Sequence, residues 1–135
     1  MIQLSPPARK SDPIDLAYAR DIVDGDLELL QEIVTLFLFD CSYQVAALQE
    51  AVASGSGNAV TAKAHRLKCS LGNIGGWQAY QLVCEMELMG LRNDLSGADE
   101  CLFHLTAAME DIVAFFAQPN WAEQAEDGAT FDEAQ

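Results

Sequence analysis

The chain has 135 residues, half of them hydrophobic, and a net charge of −14. This length suits a single domain with a sizeable core. The excess of acidic residues argues against partners such as nucleic acid or an anionic membrane surface, because both attract Lys and Arg. No apolar stretch reaches the roughly 18 residues that a membrane span needs, and the first ten residues lack the apolar core of a signal peptide.

Amphipathic periodicity predicts five helices and no strand. Apolar residues recur at spacings of three, four and seven, which is the period of one helix face. The predicted helices cover residues 13–22, 26–53, 59–72, 77–92 and 98–117. The fold class is therefore all-α: an antiparallel four-helix bundle with a short additional N-terminal helix. The bundle domain is predicted over 13–117, between a flexible arm at 1–12 and an acidic, disordered tail at 118–135.

Capping residues and glycines predict where these helices begin and end. Asp12 followed by a proline is typical of a helix start. Asn58 is the candidate N-cap of the third helix, and the glycine-rich run 72–76 ends that helix. Ahead of the fifth helix, Ser96 and Asp99 resemble a capping box.

The second helix carries more apolar residues than one face accommodates. Its main stripe runs from Leu27 to Val52, whereas Leu29, Leu36 and Phe39 lie off that stripe. A second apolar stripe needs a second neighbour. The short first helix is expected to cover it.

The four cysteines are widely spaced and form no Cys-x-x-Cys pair; they are Cys41, Cys69, Cys84 and Cys101. That spacing argues against a zinc site and against a disulfide framework. We therefore expect reduced thiols, no metal and a cytoplasmic location.

The third helix holds the segment "AHRLKCSLGNIGG", residues 64–76, with one histidine beside three basic residues. On a helical wheel, His65 points about 130° away from the centre of the apolar face and is predicted to be exposed. Its neighbours on that outer face are Thr61, Lys68, Cys69 and Gly72. Apart from the lysine these residues are small, which leaves room for another protein.

The basic residues around His65 suggest chemistry for this face. Lys68 lies one turn away, where its ammonium group can screen an anionic group at the imidazole. An exposed histidine can accept a phosphoryl group covalently, and cations stabilise the charge that develops. The chain has no glycine-rich nucleotide loop of the Walker or kinase type, so the phosphoryl group and its metal ion are expected to come from a partner.

The same segment resembles the motif of histidine-containing phosphotransfer (HPt) domains, His-x-Leu-Lys-Gly-Ser-Ser-x-x-x-Gly-Ala. The matching positions are His65, Leu67, Lys68, Ser70 and Gly75. The segments "IDLAYARDIVDGDLELLQEIVTLFLFD" and "LVCEMELMG" are similar to the helices that precede and follow this motif in the family. The resemblance covers roughly residues 13–117.

The resemblance implies a phosphorelay intermediate without autokinase activity. His65 would be the phosphoacceptor, and Lys68 would stabilise the phosphate. The partners would be a response-regulator receiver domain, a hybrid sensor histidine kinase, or both, with Mg²⁺ on the receiver and no cofactor on this chain. The candidate docking residues are Thr61, Cys69, Gly72 and Gly75. A monomer is expected, although the extra apolar residues of the second helix leave a dimer open.

The chain departs from the motif at Cys69, Leu71 and Gly76. Cys69 replaces a glycine one turn beyond His65, where its side chain can crowd a receiver or the phosphoryl group. One alternative is therefore a docking module that sequesters a receiver or a kinase with little phosphoryl transfer.

Two further alternatives involve the same cysteine. His65 and Cys69 could share a metal ion, but two ligands rarely suffice without others from elsewhere in the chain. Cys101 and His104 raise the same idea with the same weakness. A redox role for Cys69 beside Lys68 is the remaining alternative.

Overall fold

The computed structural model describes residues 12–124, which are helical apart from short connections and contain no strand. The helices are α1 (Leu16–Ile22), α2 (Leu27–Ser54), α3 (Gly57–Ile74), α4 (Trp77–Leu91) and α5 (Ala98–Ala117). A final helical turn follows at 121–124. The predicted all-α class is confirmed.

Helices α2 to α5 form the predicted antiparallel four-helix bundle, with α1 as the additional N-terminal helix. α3 packs on α2 and on α4, while α5 packs on α4 and α2 and so closes the bundle. α1 lies outside the bundle against α3 and α2. The largest fully buried side chains come from all four bundle helices: Leu30, Leu48, Val60, Leu67, Leu71, Ile74, Val83, Met86, Leu105 and Ile112. This common core holds α3 in a defined orientation.

The N-caps of α1 and α3 differ from the predicted residues. The N-cap of α1 is Asp15 rather than Asp12, because Ile14 is anchored in the core and α1 starts after it. The N-cap of α3 is Ser56, whose Oγ accepts a hydrogen bond from the backbone N–H of residue 59 at 3.1 Å. Asn58 already lies inside the helix. Both real caps satisfy a backbone N–H that has no partner within its helix.

The ends of α3 and the start of α5 also differ from the prediction. α3 continues through Gly72 and ends at Gly75, whose φ of 70° is the left-handed conformation that glycine adopts readily. Before α5, the Ser96 hydroxyl donates to the Asp94 carboxylate at 2.8 Å instead of forming a capping box with Asp99. α5 has no side-chain cap.

α1 does not cover the second apolar stripe of α2, so that prediction is wrong. Leu36 and Phe39 are 67% and 74% exposed, and Leu29 is exposed as well. α1 has only seven residues. A helix of that length spans about 10 Å, too little to cover a stripe of three turns.

The structure continues beyond the predicted domain end at residue 117. Trp121 in the final helical turn packs against Phe116, with ring centroids 5.0 Å apart. The packed unit therefore includes residues that the sequence assigned to the tail. The predicted arm up to residue 11 and the predicted tail from residue 125 lie outside the described residues.

Candidate functional site

His65 lies on the outer face of α3, as the helical wheel predicts. Its side chain is 60% exposed. Ala64 and Leu67 on the opposite face of the same helix are fully buried. The apolar face of α3 thus holds the imidazole at the surface, where a second protein can reach it.

Glu87 of α4 joins His65 and Lys68 into one hydrogen-bonded group, here called the His65–Lys68–Glu87 cluster. Its Oε2 lies 2.9 Å from Nδ1 of His65, and its Oε1 accepts a hydrogen bond from Nζ of Lys68 at 2.8 Å. The side chains of Lys68 and Glu87 are only 24% and 17% exposed. The ion pair is therefore shielded by the helices, while the imidazole stands above it.

The cluster determines where charge and protons lie. The hydrogen bond from Lys68 holds the pKa of the Glu87 carboxyl below its usual value, against the effect of burial, and the contact with His65 lowers it further. The same hydrogen bond to Glu87 raises the pKa of the Lys68 ammonium group. Both groups are therefore charged at neutral pH.

The carboxylate also selects the protonation of the imidazole. A carboxylate oxygen only accepts hydrogen bonds, so Nδ1 of His65 carries the proton in the contact with Glu87. In the neutral ring the lone pair then lies on Nε2. This nitrogen is the one that can act as a nucleophile.

The close approach of α3 and α4 places Glu87 beside the imidazole. Where the two helices meet, a Cβ atom on Gly57 would lie 2.7 Å from the carbonyl oxygen of Gly90, closer than real side chains come. Thr61 lies in the same contact, and its hydroxyl donates to the carbonyl oxygen of Glu87 at 3.5 Å. Thr61 precedes His65 by one helical turn. Because Glu87 packs against Thr61, its carboxylate lies within reach of the His65 ring.

Cys69 is the predicted docking residue that lies nearest to the reactive nitrogen. It is exposed, and its Sγ lies 3.8 Å from Nε2 of His65. Cys69 lies one turn after His65 on the same face of α3, as the spacing of four residues predicts. The structure therefore brings a thiol to the nitrogen that carries the lone pair.

The other predicted docking residues are less accessible. Thr61 and Gly72 are half-buried. A Cβ on Gly72 would lie 3.5 Å from the Tyr80 ring, which borders this part of the surface. Gly75 is buried, and a Cβ there would lie 2.8 Å from the carbonyl oxygen of Asp15. Gly75 therefore closes the turn after α3 against the start of α1 and offers little surface to a partner, so its docking role stays a prediction.

The sequence analysis did not predict that Glu87 bonds both His65 and Lys68. It named this residue only as part of a segment that resembles the family. A signal was present, since Glu87 directly follows Met86 on the apolar stripe of α4 and precedes Gly90 by three residues. An acidic residue at the border of a core face, next to a glycine that permits close helix packing, indicates a partner on the neighbouring helix.

Within residues 12–124, no three or more His, Cys, Asp or Glu side chains are grouped so that they could hold a metal ion. His65 and Cys69 remain a pair. Cys101 donates to the carbonyl oxygen of Leu82 at 3.3 Å and faces the helix interface. Among the described helices, none is both long and apolar enough to span a membrane.

The family model described as the Hpt domain matches residues 32–115 of this chain. The match covers more than half of the sequence and includes all of α3 and α4. The protein belongs to the Hpt domain family. It therefore takes part in two-component phosphorelays, in a family of phosphocarriers that interact with receiver domains and kinases. Neither the curated proteins nor the solved structures contain a significant match.

Proposed function

We propose that this chain is a phosphorelay intermediate that carries a phosphoryl group on Nε2 of His65 between aspartates of receiver domains. The observation that carries the proposal is the His65–Lys68–Glu87 cluster. It holds the proton on Nδ1, leaves the lone pair on the outward nitrogen and keeps a cation one turn away. Membership in the Hpt family supports the relay context.

The transfer step is a direct displacement at phosphorus. The Nε2 lone pair attacks the aspartyl phosphate of the receiver, the N–P bond forms, and the P–O bond to the aspartate breaks. The electron pair of that bond leaves with the aspartate carboxylate. The proton on Nδ1 stays in place, and the carboxylate of Glu87 stabilises the positive charge that the ring acquires.

Lys68 supplies charge to the transferring group. An ammonium group has three N–H donors, and Glu87 occupies one of them. The remaining donors are free to turn towards phosphoryl oxygens, whose negative charge grows during transfer. This chain needs no cofactor in the proposal, since the Mg²⁺ ion belongs to the receiver.

The proposed partners are a receiver domain, a hybrid sensor histidine kinase, or both. They would approach the outer face of α3 around His65, bordered by Cys69, Gly72 and Thr61. The chain would act as a monomer. It would lack autokinase activity, because its sequence contains no glycine-rich nucleotide loop of the Walker or kinase type.

A phosphotransfer assay tests the proposal. The protein is incubated with a phosphorylated receiver domain, and phosphate is mapped by mass spectrometry under alkaline conditions that preserve phosphohistidine. We expect phosphate on His65 in the wild type and none in His65→Gln, with unchanged helical circular dichroism. Phosphate uptake by the folded His65→Gln variant would contradict the assignment.

One observation favours a second candidate function. The thiol of Cys69 lies against Nε2, where the phosphoryl group has to enter. If the thiol blocks the entry of the phosphoryl group, the chain would bind a receiver or a kinase and sequester it with little transfer. Binding of the phosphorylated receiver without phosphate on any histidine would favour this docking module over the carrier.

A further inference from the structure

The contact between Cys69 and His65 lies at the atom on which the proposed transfer depends. Sγ of Cys69 is 3.8 Å from Nε2, within hydrogen-bonding reach for sulfur. Nδ1 of the same ring is already bonded to Glu87 at 2.9 Å. Each ring nitrogen of His65 therefore has one protein neighbour, and the thiol is the neighbour of the nucleophilic one.

The thiol and the phosphoryl group require the same lone pair. With the proton on Nδ1, Nε2 can only accept a hydrogen bond, and the S–H group of Cys69 is a weak donor. An attacking atom has to come within about 3–3.5 Å of the phosphorus, in line with the leaving oxygen. A sulfur atom 3.8 Å from Nε2 stands beside that line of approach.

We infer that Cys69 restrains transfer: its thiol holds the lone pair of Nε2 in the resting protein and has to turn away before each phosphoryl transfer. This inference rests on the proposed function of His65. Only the S–H···N contact breaks in the turning step, so the thiol keeps its proton and no redox change is involved. Cys69 thereby sets the transfer rate of this chain and the space that a partner finds at the imidazole.

The size of the effect follows from how side chains move. Exposed side chains change rotamer within picoseconds to nanoseconds, so the open and closed thiol positions equilibrate long before transfer. The rate then falls in proportion to the fraction of time that the thiol is turned away. A donor at the weak end of hydrogen-bond strength gives a reduction of roughly twofold, and a contact of ordinary strength gives up to about tenfold.

Substitutions at position 69 test the inference by rate. Cys69→Ala removes the donor and keeps a good helix former, so we expect phosphoryl uptake from a phosphorylated receiver to rise roughly two- to tenfold. Cys69→Ser keeps a donor at the same position and is expected to remain at or below the wild-type rate. The matched control is Cys41→Ala, which removes a thiol on α2, a helix outside the His65–Lys68–Glu87 cluster, and is expected to leave the rate unchanged. Equal rates for the wild type, Cys69→Ala and Cys69→Ser would overturn the inference.

A second measurement tests whether the Cys69 thiol contacts Nε2 of His65, and it needs no phosphoryl transfer. Nitrogen NMR of the His65 ring is expected to show a shifted Nε2 resonance in Cys69→Ala, with Nδ1 less affected because Glu87 is retained. An unchanged Nε2 resonance would show that the thiol does not engage the ring, and would overturn the inference. If no variant takes up phosphate while the NMR shift is present, the carrier function fails and the thiol contact stands.

Alkylation provides a third readout on the intact protein. N-ethylmaleimide is expected to react first at Cys69, since Cys41 and Cys101 are buried and Cys84 is half-buried. The adduct adds bulk beside Nε2 and should abolish phosphoryl uptake by the wild type. Cys69→Ala treated in the same way should keep its uptake. Full uptake by wild type alkylated at Cys69 would show that position 69 does not border the path of the phosphoryl group to Nε2, and would overturn that part of the inference.

Discussion

At the scale of single residues, Glu87 connects the two side chains that the sequence identified separately. His65 and Lys68 belong to one helix, but the geometry of each depends on a carboxylate from the next helix. The carboxylate orients the ring and its tautomer, and it holds the ammonium group near the face where phosphate would arrive. Orientation by a neighbouring acceptor is a common way to prepare a histidine for chemistry.

Two substitutions separate the acceptor role of Glu87 from its charge. Glu87→Gln keeps an oxygen that can accept from Nδ1 but removes the negative charge, whereas Glu87→Ala removes both. We expect phosphoryl uptake by Glu87→Ala to fall on the order of tenfold, the low end of the loss found when carboxylates that orient metal-binding histidines are removed. Glu87→Gln should lose less. A single-turnover transfer assay measures both, and equal rates for the three proteins would contradict a positioning role.

The same carboxylate links stability to pH. The folded-state pKa of Glu87 lies below its ordinary value of 4.5, so its contribution to stability is present above pH 4.5 and is lost as the pH falls through the lower folded value. Wild type should therefore be more stable than Glu87→Gln near neutral pH, and the difference should vanish in acid. Urea unfolding at a series of pH values from neutral into the acid range checks this; a difference that does not shrink as the pH falls below 4.5 would contradict the ion pair.

At the scale of helices, the contact between α3 and α4 builds the site. Gly57 and Gly90 allow the two backbones to approach more closely than larger residues permit. Glu87 lies one turn from Gly90, so the distance between the helices decides whether its carboxylate reaches the imidazole. Packing and chemistry are therefore coupled through this pair of glycines.

Two glycine substitutions test how tightly α3 and α4 have to pack. In Gly90→Ala the new Cβ would lie 2.6 Å from the carbonyl oxygen of Gly57, so we expect a loss of about 1–3 kcal/mol in the free energy of unfolding. In Gly72→Ala the Cβ would lie at an ordinary 3.5 Å from the Tyr80 ring, and the gain in helix propensity should raise stability by up to about 1 kcal/mol. Urea unfolding of both variants measures this. If Gly90→Ala is as stable as the wild type, the helices do not need a glycine at position 90.

At the scale of the whole molecule, the folded unit ends later than the apolar periodicity indicates. α5 ends at Ala117, but the chain turns back and Trp121 packs on Phe116. The partly buried ring of Trp121 covers the end of the core, where Phe115 and Phe116 are both buried. The last turn is thus part of the bundle although it is too short to count as a predicted helix.

Two truncations test where the domain ends. Removal of residues 125–135 keeps the contact between Trp121 and Phe116, and we expect the melting temperature to stay nearly unchanged. Removal of residues 118–135 also deletes Trp121 and uncovers Phe116, which should cost about 1–3 kcal/mol for the lost aromatic burial. Thermal unfolding followed by circular dichroism compares the two. Equal melting temperatures would mean that Trp121 adds nothing to the bundle.

Local patterns in the sequence were enough to predict the architecture and the exposed histidine of the candidate site. The spacing of apolar residues specified the helices, because a helix face repeats every 3.6 residues whatever lies opposite. The same periodicity placed His65 outward, opposite to Ala64 and Leu67. Lys68 and Cys69 followed from local spacing, since residues three and four apart share a face.

Features that depend on contacts between helices became visible in the folded structure alone. The partnership of Glu87 with His65 joins residues 22 positions apart, and Gly75 is buried because the start of α1 packs over it. The exposed stripe of α2 around Phe39 follows from the short reach of α1. These features depend on the distance and angle between packed helices, which local periodicity does not contain. Sequence spacing describes one helix at a time, whereas the site is formed by two.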